Sequence, residues 1–195
     1  MASYEFEFKK ILLLGSQSPR RKALIEQMFI PYRSVVIDFD ESGLNTADPV
    51  VLAKEKSKHY PHPLAGNEVL LTADTLVLLD GKPLGKPANQ YEALDMLESL
   101  SGKTHSVTTG VCLREKNNLY CFDDTTEIRF RELSKEEMNF YVCRFMPYDK
   151  AGAYGIQEWI GMIGVESIKG SFYNVMGLPT EKFWINWLKI NNFLF

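Results

Sequence analysis

The chain has 195 residues, 45% of them hydrophobic and 24% charged, with a formal net charge of −3 at pH 7. That length supports one substantial core, divided at most into two lobes, in a globular protein of ordinary composition. The negative balance argues against a broad nucleic-acid footprint and leaves room only for a local basic pocket.

Residues 1–10 mix charges with aromatics and carry no apolar signal core. No stretch is long and apolar enough to span a membrane. Cys112, Cys121 and Cys143 are widely spaced and form neither a zinc pattern nor a redox pair. The first two fall in successive predicted strands and read as core residues. A reducing cytoplasm is the compartment expected from this usage.

The run Ile11-Leu12-Leu13-Leu14 predicts a buried strand over 10–15, followed by a tight turn and a helix over 19–29. Ser18 is placed as the helix N-cap, and Pro19 suits the first helical position because its missing N–H would be unbonded anyway. Arg20 and Arg21 then lie in the first turn, where the helix dipole already concentrates positive charge. They are either solvated side chains or ligands of a bound anion, which the free N–H groups and the guanidinium forks would suit. The segment has neither the Gly-rich Lys-Ser/Thr loop of nucleotide kinases nor the three-glycine dinucleotide fingerprint.

Residues 32–37 alternate as a strand, and Asp38-Phe39-Asp40-Glu41-Ser42-Gly43 forms an acidic loop. Asp48 and Pro49 open a lysine-rich helix over 48–60. Residues 69–73 form a short apolar strand that ends at Asp74-Thr75, with 76–79 continuing extended and Asp80-Gly81 turning back. Gly85-Lys86-Pro87 precedes a helix over 89–100, stopped by Ser101-Gly102. Residues 105–114 and 119–130 pair around Asn117-Asn118. Ser134 and Glu137 form a capping box for a helix over 134–145. A small, Gly-rich segment over 149–156, a strand over 163–168 and an amphipathic helix over 179–191 complete the chain. Alternating helices and strands with an inserted hairpin imply an α/β fold with a mixed, twisted sheet.

Several side chains could carry chemistry. Asp74, at a predicted strand end, either caps a turn or serves as a general base or metal ligand. Glu41 either sits in a solvated turn or joins Asp74 in an oxygen-rich site suited to magnesium or manganese. Lys56 belongs to a lysine-rich face, and Lys86 is held in a tight loop that lowers the entropy cost of binding an anion. Gln157 offers an amide suited to reading one edge of a base, and Tyr154 either stacks or is buried in the core. His59, His62 and His105 show no metal spacing, and no serine-histidine-acid arrangement presents itself.

Together these segments resemble the Maf family of nucleoside triphosphate pyrophosphatases. Ser16-Gln17-Ser18-Pro19-Arg20-Arg21 looks like the family's Ser-x-Ser-Pro-Arg-Arg signature. Five further motifs follow in family order: Ala73-Asp74-Thr75, Gly85-Lys86-Pro87, the stretches 101–105 and 150–157, and Gly177-Leu178-Pro179. The resemblance covers about Ile11 to Pro179, with Gly15 standing where the family often has alanine.

The resemblance implies a Maf/inosine triphosphate pyrophosphatase-like α/β fold, elongated and two-lobed around a central cleft, with residues 1–195 as one domain. It implies hydrolysis of a nucleoside triphosphate to the monophosphate and pyrophosphate, with Mg2+ or Mn2+. In that scheme Asp74 is the general base, Glu41 and Asp74 hold the metal, and Lys56 and Lys86 engage the phosphates. Ser16, Ser18, Arg20 and Arg21 form the phosphate-binding turn. The family has a dTTP/UTP branch and a 7-methyl-GTP branch. Arg20, Thr75 and Gln157 agree with the first, because an amide pairs with a uracil-type edge whereas an acid suits a cationic methylated guanine. The competing readings are 7-methyl-GTP hydrolysis and a nucleotide-binding regulator of cell division. A homodimer is the expected assembly, with neither nucleic acid nor membrane as partner.

Overall fold

The computed structural model describes residues 6–40, 44 and 46–193. Its centre is a seven-stranded mixed sheet. The strands are β1 (Ile11–Leu14), β2 (Tyr32–Ser34), β3 (Glu68–Leu79), β4 (Lys82–Leu84), β5 (Thr104–Arg114), β6 (Leu119–Phe130) and β7 (Val165–Lys169). They run in the order β2-β1-β3-β5-β6-β7, with β4 added to β3. β1 pairs parallel with β2 and β3, and the remaining pairs are antiparallel. The α/β class and the mixed sheet expected from the sequence are therefore present.

Among the described residues seven α-helices accompany the sheet: α1 (Pro19–Gln27), α2 (Pro49–Lys58), α3 (Gln90–Leu100), α4 (Lys135–Phe145), α5 (Trp159–Gly164), α6 (Phe172–Met176) and α7 (Thr180–Ile190). Their starts follow local chemistry. The Ser18 hydroxyl accepts from Arg21 N to open α1, and the Asp48 carboxylate accepts from Val50 N and Val51 N to open α2. At α4 both bonds of the Ser134–Glu137 capping box are made.

Apolar side chains collect in three clusters. One holds Leu97, Leu100, Phe130, Tyr141 and Ile160; a second holds Leu12, Leu24, Ile25, Phe183 and Trp187; a smaller one holds Leu13, Ile37, Leu64 and Leu70. Each such fully buried side chain contributes roughly 1.5–3 kcal/mol, so the sheet is held firmly from both its β1 and its β6 sides.

Two expectations need correction. The strand carrying Asp74 does not end there: β3 is twelve residues long and Asp74 lies in its interior, opposite Gly110 of β5. What ends is its neighbour. β1 pairs with β3 only from Glu68 to Leu71, and β4 takes up the same edge only from Val77. Residues 72–76 thus face a gap between two partners, and the gap opens the sheet where Asp74 and Thr75 sit. Secondly, Cys112 and Cys121 are not independent thiols. The β5–β6 register sets them directly opposite one another, and they form a disulfide. Cys112 is buried as expected, whereas Cys121 is exposed.

Candidate active site

A cavity of about 440 Å³ lies at the gap in the sheet, a size suited to a nucleotide-sized ligand. Its wall combines the β1–α1 turn, Lys56 of α2, Asp74 and Thr75 of β3, Lys86, the 149–155 segment and Gly177. Five cationic side chains line it (Arg20, Arg21, Lys56, Lys86 and Lys150) against two described carboxylates, Asp74 and Asp149. A chain of net charge −3 has therefore gathered positive charge in one place, which is the electrostatic signature of an anion site.

The two arginines of the first helical turn differ in what they do. Arg21 is buried. Its Nε donates to Gly177 O at 2.7 Å, its Nη1 to Ser16 Oγ at 3.2 Å and its Nη2 to Thr75 Oγ1 at 2.9 Å. It ties α1 to β3 and to the segment after α6. Arg20 reaches outward, and its Nη1 donates to Asp149 Oδ2 at 3.0 Å. Ser18 spends its hydroxyl on the helix cap, and Ser16 Oγ also accepts from Ser18 N.

Asp74 is placed by the sheet and by α2. Alternation along β3 puts Thr72 on the same face as Asp74, and the Thr72 hydroxyl donates to Ala53 O of α2 at 2.7 Å. Gly110, opposite Asp74, touches the same helix so closely that a Cβ there would lie 2.3 Å from Pro49 C. This contact seats α2 against the sheet and so brings Lys56 into the cavity wall. Lys86 is positioned by its own loop, where Gly85 O accepts from Gly152 N at 3.0 Å.

The 149–158 segment turns through two consecutive left-handed residues, Gly152 (φ 70) and Ala153 (φ 58). Gly152 packs on Val77, leaving little room for a side chain. The turn delivers Asp149, Lys150, Tyr154 and Gly155 to the cavity. Lys150 is buried and bridges two acids, Asp149 Oδ1 at 2.7 Å and Glu158 Oε1 at 3.1 Å. Glu158 in turn accepts from the Tyr141 hydroxyl, whose phenol is pushed up by burial and by that hydrogen bond. Burial pushes the Asp149 carboxyl up, but Lys150 and Arg20 outweigh it and hold the group below the usual carboxylate range. Behind the wall, His105 Nε2 is 2.8 Å from the Tyr154 hydroxyl, and burial brings the imidazole down to about 4. Burial likewise raises the Tyr154 phenol.

Of the candidates read from the sequence, Ser16, Ser18, Arg20, Arg21, Lys56, Asp74, Thr75 and Lys86 all line this one cavity. Glu41 lies outside the described residues. Gln157 is not among the lining residues; Gly155 stands between, with Gln157 Nε2 3.1 Å from where a Gly155 Cβ would be. Its Oε1 is buried and finds no hydrogen-bond partner among the described residues. Asp149 and Lys150 were visible only as part of a small-residue segment. Among the described residues no cluster of three or more His, Cys, Asp or Glu side chains could hold a metal ion. No described helix is long and apolar enough to cross a membrane.

The chain is similar to known proteins over most of its length. The family model described as Maf-like protein matches residues 11–187. A protein of Bacteroides thetaiotaomicron named dTTP/UTP pyrophosphatase is 48% identical over 176 residues, covering 88% of this chain and 91% of its own. Proteins of the same name from Bacteroides fragilis and Flavobacterium psychrophilum are 47% and 41% identical, covering 88% and 95% of this chain and 91% and 96% of their own. Among solved structures, the Ham1 protein of Staphylococcus aureus aligns over 91% of this chain and 98% of its own, with 12% identity and a TM-score of 0.45.

Proposed function

The chain belongs to the Maf family, and on that premise we propose that it hydrolyses dTTP and UTP to the monophosphate and pyrophosphate. The observation that carries the reading is the cavity itself, where five cations surround the gap in the sheet that presents Asp74. A triphosphate supplies the negative charge that such a lining lacks. The name shared by the relatives supports pyrimidine substrates.

In this reading Asp74 is the general base. It takes a proton from a water positioned for in-line attack on a phosphorus of the triphosphate chain. Lys56, Lys86 and Arg20 bind the phosphate oxygens and offset the charge that develops on the departing pyrophosphate. Arg21 is the frame: its bonds to Gly177, Ser16 and Thr75 hold the turn that the phosphates would occupy. Discrimination of the base is assigned in this reading to Thr75, which lines the cavity, and to the amide of Gln157, which sits against Gly155 of its wall.

The donor set suits a hard divalent cation such as Mg2+ or Mn2+. These ions are commonly held by one or two carboxylates together with substrate phosphates, and Asp74 is a carboxylate in a phosphate-sized, cationic cavity. A cation held by Asp74, with Glu41 as the second proposed ligand, would lower the charge on the triphosphate oxygens.

The test is product analysis with dTTP, UTP, CTP, GTP and 7-methyl-GTP. Pyrophosphate and monophosphate from dTTP and UTP are expected. Selective turnover of 7-methyl-GTP would overturn the substrate assignment, and release of inorganic phosphate in place of pyrophosphate would overturn the site of cleavage.

A further inference from the structure

A closed ring of hydrogen bonds lies against the cavity. Arg21 Nε donates to Gly177 O at 2.7 Å, and Gly177 N donates to Asn174 O at 2.9 Å. Thr109 Oγ1 donates to the same Asn174 carbonyl at 2.9 Å. Thr109 Oγ1 also lies 2.9 Å from Thr75 Oγ1, its direct cross-strand neighbour, and Thr75 Oγ1 accepts from Arg21 Nη2 at 2.9 Å. Thr109 and Asn174 are fully buried, whereas Thr75 is half-buried and lines the cavity.

The proton positions follow from chemistry. A hydroxyl has one hydrogen and two lone pairs, and a carbonyl can only accept. Thr109 has given its hydrogen to Asn174, so its bond with Thr75 must use the hydrogen of Thr75. Thr75 also receives a hydrogen from Arg21. It is left with one lone pair and no proton to offer the cavity.

We propose that Thr109 is a positioning residue that locks Thr75 as an obligate hydrogen-bond acceptor, so that Thr75 selects nucleotides bringing an N–H or O–H donor to it. An anionic phosphate oxygen is excluded from this spot, because two acceptors repel. The donor is the imide N–H that uracil and thymine share. Cytosine, whose ring N3 is an acceptor, is rejected. This deepens, and rests on, the assignment of the cavity as a pyrimidine nucleotide site.

The experiment compares Thr109→Val and Thr109→Ser with the wild type, measuring both nucleotide binding and kcat and KM for UTP, dUTP and CTP. The Asn174 carbonyl keeps its bond from Gly177 N in either variant, so the fold retains an accepted partner there. Valine removes the acceptor for the Thr75 hydrogen and frees that hydrogen to turn toward the cavity. The ratio of UTP to CTP binding is then expected to fall about tenfold, mostly in KM, while serine keeps the wild-type ratio. The ratio of UTP to dUTP, which carry the same base, is expected to keep its wild-type value. Loss of affinity for all three nucleotides by one common factor, or no change in the ratio of UTP to CTP, would overturn it. Should Thr109→Val not fold, Thr109→Ala carries the same prediction. Nucleotide binding without hydrolysis in the wild type would remove the pyrophosphatase reading, yet the binding ratios would still decide the role of Thr109.

Discussion

Arg20 and Asp149, 129 residues apart in sequence, are joined by a hydrogen-bonded ion pair at 3.0 Å. The same carboxylate takes Lys150 on its other oxygen, so one acid holds two of the five cations that line the cavity. A triphosphate entering the site would compete with Asp149 for both.

Removing that competitor has a defined consequence. Asp149→Asn leaves Lys150 its bond to Glu158 and loses two ion pairs, to Arg20 and to Lys150, whose shared acid side chain is 54% exposed. The stability cost is therefore below about 1 kcal/mol. Nucleotide KM is expected to fall a few-fold, because one repelling charge is gone. The stability difference itself depends on pH. The folded carboxyl is held below its usual range by Lys150 and Arg20 against the opposing effect of burial. Its contribution is full above the ordinary aspartate range and fades as pH falls through and below it. Chemical denaturation of both proteins at neutral and acid pH checks the sign.

His105 shows the same sign of linkage at higher pH. Burial lowers its imidazole to about 4, so the unfolded chain binds a proton between roughly pH 6.5 and 4 that the folded chain refuses. Stability attributable to this group is complete above about pH 6.5 and declines on acidification, by up to about 3 kcal/mol over that window. A His105→Phe variant should show a flatter acid limb of its stability curve, measured by denaturant midpoint across pH 4–7. An unchanged limb would contradict the buried, neutral imidazole.

Gly110 is a second structural lever on the site. A Cβ there meets the backbone of Pro49 and Val50 at 2.3 Å, and backbone cannot move aside as a side-chain tip can. Gly110→Ala should cost roughly 1–3 kcal/mol by overpacking and lower turnover through displacement of α2 and its Lys56. Thermal unfolding and kcat measured on the same preparation test both parts.

The disulfide is directly countable. Of the three cysteines, only Cys143 is free and exposed. A thiol reagent should find one reactive group in the unreduced, unfolded chain and three after reduction. Because the bond closes a short loop within a hairpin already paired by β5 and β6, its loss should cost no more than about 3 kcal/mol.

The sequence disclosed what local chemistry encodes. The Ser18-Pro19 and Asp48-Pro49 helix starts and the Ser134–Glu137 box are legible because a cap involves only the next three residues. Asp74 was legible as a candidate, but the reason for its exposure to the cavity was not. Its own strand continues, and the cavity arises because β1 stops at Leu71 and β4 starts at Val77. Where a partner strand ends is a non-local fact with no periodicity to reveal it. Cys112 and Cys121 were likewise read apart because their pairing is set by the register of the hairpin. Thr109 and Asn174 carry no motif at all: a threonine in an alternating strand and an asparagine in a five-residue helix, α6, look like ordinary choices until the ring joining them to Arg21 is seen. The strand expected over 163–168 runs instead over Val165–Lys169, and Ile163 and Gly164 close the short helix α5, whose six residues give too little pattern to be read as a helix.

The most direct test of the account is turnover of dTTP and UTP by Asp74→Asn, with nucleotide affinity measured in parallel. Asparagine keeps the size and polarity of the side chain but cannot accept the proton of the attacking water. Binding is expected to persist while kcat falls on the order of 10²- to 10⁴-fold. Turnover near the wild-type rate with intact binding would contradict the assignment of Asp74 as the base.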